Sequence, residues 1–412
     1  MFGRKGIAVL LTAALLAVGI APAAAAESTV LYDEDGGEEL AALLAEDAAA
    51  WPTVATPADA TGLTVNAKGA VLIDQGSGAV LFEKDAHAHL PIASVTKVMT
   101  LLLVMEAIDG GRLNWLDTVT CSARAASMGG SQIWLEPGET MTVEELVKAA
   151  AVVSANDACA ALAEHISGTV DAFVAQMNAR AEQLGLTDTH FVDCSGLDDT
   201  GYSCAYDIAV ISRQLMMHTD IQRFTTIWMD TLRGGKSQLV NTNKLVRHYP
   251  GATGLKTGTT QAAGHCLSAT AEKNGTAFVA VVLGCPTTAD RFDGARAMLD
   301  YGFASYAAYT PTAEQLTLPP IPVLHGQQTQ VAVTVDAPAS LLVEKGAIGQ
   351  IAVTTETAEN LEAPVLEGQT VGTWRLCAGE TVLGEYPVRA AAAVPAMTFG
   401  SAYALLWASL LK

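Results

Sequence analysis

The sequence predicts an α+β fold: an antiparallel sheet covered by helices, followed by a small β-rich domain. Three observations predict it. Two β-hairpin patterns stand far apart, near residues 70–82 and 265–283. Helical patterns fill much of the interval between them. A cluster of prolines then introduces short alternating runs without a helical period. Strands at both ends of a helical stretch meet most simply in one sheet with helices on its faces.

The elements follow in order. Arg4 and Lys5, the apolar run Gly6–Ile20 and Ala24-Ala25-Ala26 have the layout of a secretory signal over residues 1–26. No Cys stands at the expected cleavage site, which argues against a lipoprotein. Residues 27–61 hold nine acidic and no basic side chains, with Pro52, Pro57 and Gly36-Gly37. Such a segment repels itself and buries little, so it reads as a mostly disordered leader with a short helix at Glu38–Ala50 at most. The main domain spans 62–307. Ala70–Ile73 and Ala79–Phe82 flank Gln75-Gly76-Ser77-Gly78, a hairpin. Ser94–Ile108 is apolar nearly all round and predicts a central buried helix. Thr142-Val143-Glu144-Glu145 is a capping box opening a helix to about Val153. Asp157–Ser167 and Asp171–Leu184 read as further helices, the second stopped by Gly185. His265–Ala271 and Ala277–Leu283 flank Asn274-Gly275, a strong hairpin-turn signal.

Beyond Tyr301-Gly302-Phe303 the character changes. Pro311, Pro319, Pro320 and Pro322 mark a linker, and alternating runs predict a β-rich domain over 308–389 with no catalytic constellation. Residues 390–411 carry no charge. Ala396–Leu411 as a helix would reach roughly 24 Å, short of a hydrocarbon core of about 30 Å. Phe399, Tyr403, Leu406, Trp407 and Leu410 would form an apolar face, so 390–412 reads as a C-terminal membrane anchor.

Composition narrows the function. A chain of 412 residues, half of them hydrophobic, supports two domains plus tails. The net charge is −20, and loss of residues 1–26 removes two basic and no acidic side chains, leaving −22. That excludes nucleic acid as an expected partner. The seven Cys are scattered, with no CxxC pair; only Cys194 with Cys204 invites a check for a disulfide. The eight His show no metal-ligand spacing, so neither a metal nor another cofactor is expected.

Three short segments carry the chemistry: Ser94-Val95-Thr96-Lys97, Ser154-Ala155-Asn156 and Lys256-Thr257-Gly258. Ser94 and Lys97 are three residues apart at a helix start, so they share a face and can touch. A serine hydroxyl is a weak nucleophile until a base takes its proton, and no His pairs with Ser94 by any recognisable motif. Lys97 could be that base if its pKa fell from about 10.4 towards about 7–8 through burial and the nearby charge of Lys256. The helix N-terminus favours developing negative charge. Gly258 would let a substrate backbone approach, while Thr257 and Lys256 could hold a carboxylate. Taken singly, each segment is compatible with an ordinary cap or turn. All three in this order form the signature of class A β-lactamases and penicillin-binding proteins.

The wider sequence resembles the low-molecular-weight penicillin-binding proteins that are serine-type D-alanyl-D-alanine carboxypeptidases. The resemblance extends over Ala93–Thr100, Ser154–Cys159, Asn178–Leu186, Thr189-His190-Phe191, Gly196-Leu197-Asp198, Gly254–Thr260 and Tyr301-Gly302-Phe303. It implies a β-lactamase/transpeptidase-like fold for the main domain and hydrolysis of the terminal D-alanine of peptidoglycan stem peptides. It also implies β-lactams as covalent inhibitors, and a location at the extracytoplasmic face of the membrane. Ser94 would be the acylated nucleophile, Lys97 its base and Ser154 a proton relay to the leaving group. Asn156 would bind the substrate amide. Lys256 and Thr257 would orient the substrate, and the N–H groups of Ser94 and Thr259 would form the oxyanion hole. Arg291 would receive the terminal carboxylate. One departure stands out: many relatives carry His before Gly-Leu-Asp, where this chain has Ser195.

Two other readings compete. A class A β-lactamase needs a deacylating Glu, usually in a Glu-x-x-x-Asn loop, and Glu164 and Glu182 instead fall within predicted helices. A catalytically silent wall-associated scaffold would not need the complete set of reactive side chains found here.

Overall fold

The computed structural model describes residues 29–30, 62–337 and 340–410. The predicted signal lies outside them, as does the acidic leader apart from Thr29–Val30, which pair in parallel with Ser237–Gln238.

The first hairpin forms strands β1 (Gly69–Asp74) and β2 (Val80–Lys84). Strands β3 (Ala252–Thr260), β4 (Gly264–Lys273) and β5 (Thr276–Cys285) come from the far end of the domain. They close one antiparallel sheet in the order β2-β1-β5-β4-β3. Asn274 and Gly275 both adopt positive φ, 52° and 74°, as the tight β4–β5 turn requires.

The sheet is covered on both faces, and β1 is buried throughout. Its side chains alternate. Val71 and Ile73 pack with α1 (Lys97–Asp109), while Ala70 and Leu72 pack on the opposite side in a second core with Phe292 and Met298. Helices α2 (Val143–Val152), α3 (Asn156–Ser167) and α4 (Val170–Gln183) build out the α1 side. The expected capping box opens α2: Thr142 Oγ1 accepts from the Glu145 N–H, and the Glu145 carboxylate accepts from the Thr142 N–H. Two helices that the sequence pattern does not announce complete the layers, α5 (Ala205–Met217) and α6 (Thr288–Ser305).

Tyr306–Tyr309 pairs with Leu341–Glu344, so the two domains share a strand pair across the expected boundary. The proline-rich segment is not merely a linker. Ile321–Leu324 is a strand whose alternate residues, Ile321 and Val323, are buried beside Val331 and Trp374. The main β-rich sheet comprises β6 (Val333–Val335), β7 (Ile351–Thr357), β8 (Thr370–Ala378) and β9 (Thr381–Ala390), ordered β6-β9-β8-β7. The β-rich unit runs past Arg389: Ala390 and Val394 are buried in its core, and Val394 bridges to Val365. The expected anchor segment therefore begins too early at residue 390. Helix α7 (Phe399–Leu410) follows, with Phe399, Tyr403, Leu406, Trp407 and Leu410 exposed as the sequence pattern suggests. No helix among the described residues is long and apolar enough to cross a membrane.

Cys194 and Cys204 are not bridged, and all seven cysteines are free thiols.

Candidate active site

Ser94 lies in a single 3-10 turn, Ala93–Thr96, which leads directly into α1 at Lys97. This places both side chains at a helix N-terminus. Lys97 Nζ is 2.8 Å from Ser94 Oγ and 2.8 Å from the Ser195 carbonyl oxygen. Lys97 has no solvent exposure and Ser94 has 4%. Such burial disfavours a charged ammonium and keeps the amine beside the hydroxyl.

The turn is gripped from two sides. On one side, a Cβ at Gly258 would sit 2.8 Å from the Ile92 carbonyl oxygen and 2.9 Å from the Ser94 nitrogen. The close approach at this glycine is thus made by the backbone of the Ser94 turn, where the sequence alone suggested a substrate. On the other side, a Cβ at Gly196 would collide with the Ala93 carbonyl. Gly196 has φ 81°. Its loop is set by Asp193, whose carboxylate accepts N–H bonds from Ser195, Gly196 and Asp198. At residue 195 it is the backbone oxygen, not the side chain, that meets Lys97.

Ser154 and Asn156 occupy the connection between α2 and α3. Ser154 has φ 65°, a costly conformation for a residue other than glycine, which directs the chain sharply into α3. Asn156 is held through Nδ2, which donates to the Gly129 carbonyl at 2.7 Å, and through its N–H, which donates to Ser131. Asp157 fixes the same loop by accepting N–H bonds from Ile133 and Leu135. Burial raises the Asp157 pKa in spite of those bonds. Among the described residues, buried Ser154 Oγ and Asn156 Oδ1 make no hydrogen bond, which leaves an acceptor or donor unused at each.

Lys256 is buried on edge strand β3, its Nζ donating to the Thr257 carbonyl at 2.8 Å. Thr257 Oγ1 donates to Thr242 Oγ1 at 2.6 Å, and the Thr242 N–H donates to the end of α2 at Val152. Thr242 thereby joins β3 to the Ser154 turn. The sequence gives no signal for it beyond a polar Asn-Thr-Asn turn. Cys159, one turn along α3 from Asn156, is fully buried. Burial pushes its thiol up to about 11. Gly258 against the Ser94 turn, and Thr257 through Thr242 to the end of α2, bring all three segments to one buried locus.

Arg291 projects from α6 towards β3. Its Nη1 donates to Thr259 Oγ1 at 2.8 Å, and the guanidinium has no solvent exposure. It thus stands behind the Thr259 hydroxyl and does not face the solvent. Glu164 and Glu182 both lie within helices, α3 and α4, as expected.

Residues 53–287 match the family model described as D-alanyl-D-alanine carboxypeptidase. The chain belongs to this family. Residues 310–396 match the model described as the C-terminal domain of penicillin-binding protein 5, which agrees with a β-rich unit extending past Arg389. The chain is similar to the D-alanyl-D-alanine carboxypeptidase DacF of Bacillus subtilis, at 42% identity over 80% of this chain and 86% of that protein. Among solved structures, penicillin-binding protein 5 from Haemophilus influenzae has a TM-score of 0.73 at 28% identity, covering 83% of this chain and all but 1% of its own. Penicillin-binding protein D2 from Listeria monocytogenes, solved with bound ampicillin, has a TM-score of 0.51 at 32% identity, covering 58% of this chain and 99% of its own. This carboxypeptidase-family chain accordingly has the transpeptidase-like α+β fold with a β-rich second domain.

Proposed function

We propose that this chain is a serine-type D,D-carboxypeptidase that removes the terminal D-alanine from peptidoglycan pentapeptide stems, and that β-lactams acylate it. The observation that carries this reading is the Ser94 hydroxyl 2.8 Å from the amine of fully buried Lys97, at a helix start. Neutral Lys97 takes the Ser94 proton as Oγ attacks the carbonyl carbon of the penultimate D-alanine. The N–H groups of Ser94 and Thr259 hold the oxyanion. The C–N bond breaks, a proton passes through Ser154 to the departing amine, and free D-alanine leaves. Water then hydrolyses the Ser94 ester and restores the hydroxyl. Asn156 orients the stem amide, and Lys256, Thr257 and Thr259 receive the terminal carboxylate. No step uses a cofactor. Release of D-alanine from a pentapeptide, together with stable labelling by a fluorescent penicillin, tests the reading. Rapid turnover of the penicillin would point instead to a β-lactamase, and absence of label to a silent scaffold.

Arg291 supports exopeptidase specificity by holding Thr259 and supplying positive charge behind it in a strongly acidic protein. A charge-assisted bond contributes roughly 1.5–3 kcal/mol, about one to two decades in rate if realised in the transition state. Arg291→Ala should lower turnover of peptides with a free carboxylate by about that factor and leave amidated analogues, poor substrates already, little changed. Equal losses on both would reduce Arg291 to a support for β3.

Export through residues 1–26, and attachment to the outer face of the membrane through the C-terminus, complete the proposal. Helix α7 is apolar on exposed faces and spans about 18 Å at 1.5 Å per residue, which suits lying in the membrane interface. A chain ending at Thr398 keeps Val394 in its core and should be soluble and fully active. Ending at Arg389 should destabilise the β-rich domain. A Thr398-terminated protein still sedimenting with membranes would place the anchor elsewhere.

A further inference from the structure

A cluster with no part in this chemistry joins three distant stretches of chain. His87 Nδ1 lies 2.9 Å from one carboxylate oxygen of Asp188, and His89 Nε2 lies 2.9 Å from the other. The Cys204 sulfur completes the group: the ligand atoms of His87, Asp188 and Cys204 all fall within 4.8 Å of one another. The two imidazoles are seated on aromatic rings. His89 stacks on Tyr202 with centroids 4.6 Å apart, and His87 packs 5.0 Å from Tyr206. The backbone of Asp188 is fixed by its N–H, which donates to Asp207. Cys204 caps α5, accepting the Asp207 N–H. Cys204 is buried, whereas both histidine side chains are more than half exposed, which leaves access from solvent.

We propose that His87, Asp188 and Cys204 form a binding site for a zinc-like divalent cation, with His89 holding the second oxygen of Asp188 as an outer-shell partner. Nitrogen, carboxylate and thiolate together suit zinc, and a carboxylate–histidine pair is the usual support for such a ligand. Zinc bonds of about 2.0–2.3 Å place tetrahedral ligand atoms about 3.3–3.8 Å apart; the His87 and Asp188 atoms, 2.9 Å apart, would have to separate slightly as the ion replaces their hydrogen bond. No local motif betrays the site, because His87 stands 101 residues before Asp188 in the chain. The role is structural. Leu90 bridges to Ser203, so the ion would bind the segment entering the Ser94 turn to the loop that carries Ser195.

Cobalt(II) alone, added to the chelator-stripped full chain, tests the site. One equivalent should bind with a sulfur-to-cobalt charge-transfer band and should raise Tm. Cys204→Ser should abolish the band while folding normally, since Ser is a favoured helix cap. His87→Ala, at an exposed position, should weaken binding at least about tenfold, and His89→Ala by about 10–100-fold. Circular dichroism of each variant reports folding independently of enzyme activity. Absence of cobalt uptake by the folded parent, a band that persists in Cys204→Ser, or an unchanged affinity in His87→Ala would each overturn the site and leave only a hydrogen-bonded cluster.

Discussion

Replacing Ser94 by alanine should abolish both covalent penicillin labelling and D-alanine release. Without Oγ there is no atom to carry the acyl group, so the loss is complete for labelling. The fold should survive, because the substitution removes one hydrogen bond, worth about 1–3 kcal/mol, and Lys97 keeps its bond to the Ser195 carbonyl. Mass spectrometry of the labelled parent should find the adduct on the peptide containing Ser94. An adduct on any other serine would sink the assignment.

Lys97→Arg should be nearly as severe, with acylation slower by on the order of 10²–10⁴. The substitution preserves a positive charge but provides no accessible neutral form, since the guanidinium stays protonated. The parent's acylation rate should rise with pH through an apparent pKa well below that of a free lysine, about 10.4, because only the deprotonated amine can take the serine proton. A rate still climbing at about pH 10 would show that Lys97 is not the base. Lys97→Ala separates charge from bulk: it should be equally slow while relieving any crowding in the fully buried site.

The reactive segments were legible because their spacing is local. Three residues on a helix start bring Ser94 to Lys97, and the hairpins and the Thr142–Glu145 capping box follow from equally local rules. What escaped depends on contacts across the chain. Helix α6 is concealed by Gly294 and Gly302, which look like breakers but allow close packing on Val65 and Phe278. The prolines near residue 320 suggest a linker, although alternating Ile321 and Val323 bury a strand between them. Thr242, Asp193 and the Ser195 carbonyl could not be read from motifs, since each acts through a backbone group or a partner far away in sequence. The buried state of Arg291 belongs to the same class.

The two glycines pressed against the Ser94 turn bear on how such an enzyme can change under antibiotic selection. A side chain at Gly196 or Gly258 would meet the main chain of the Ser94 turn, which would have to shift. A survey of all single substitutions should therefore find these two positions nearly as intolerant as Ser94 itself. Escape from a covalent inhibitor by remodelling either position would sacrifice the natural reaction at the same stroke.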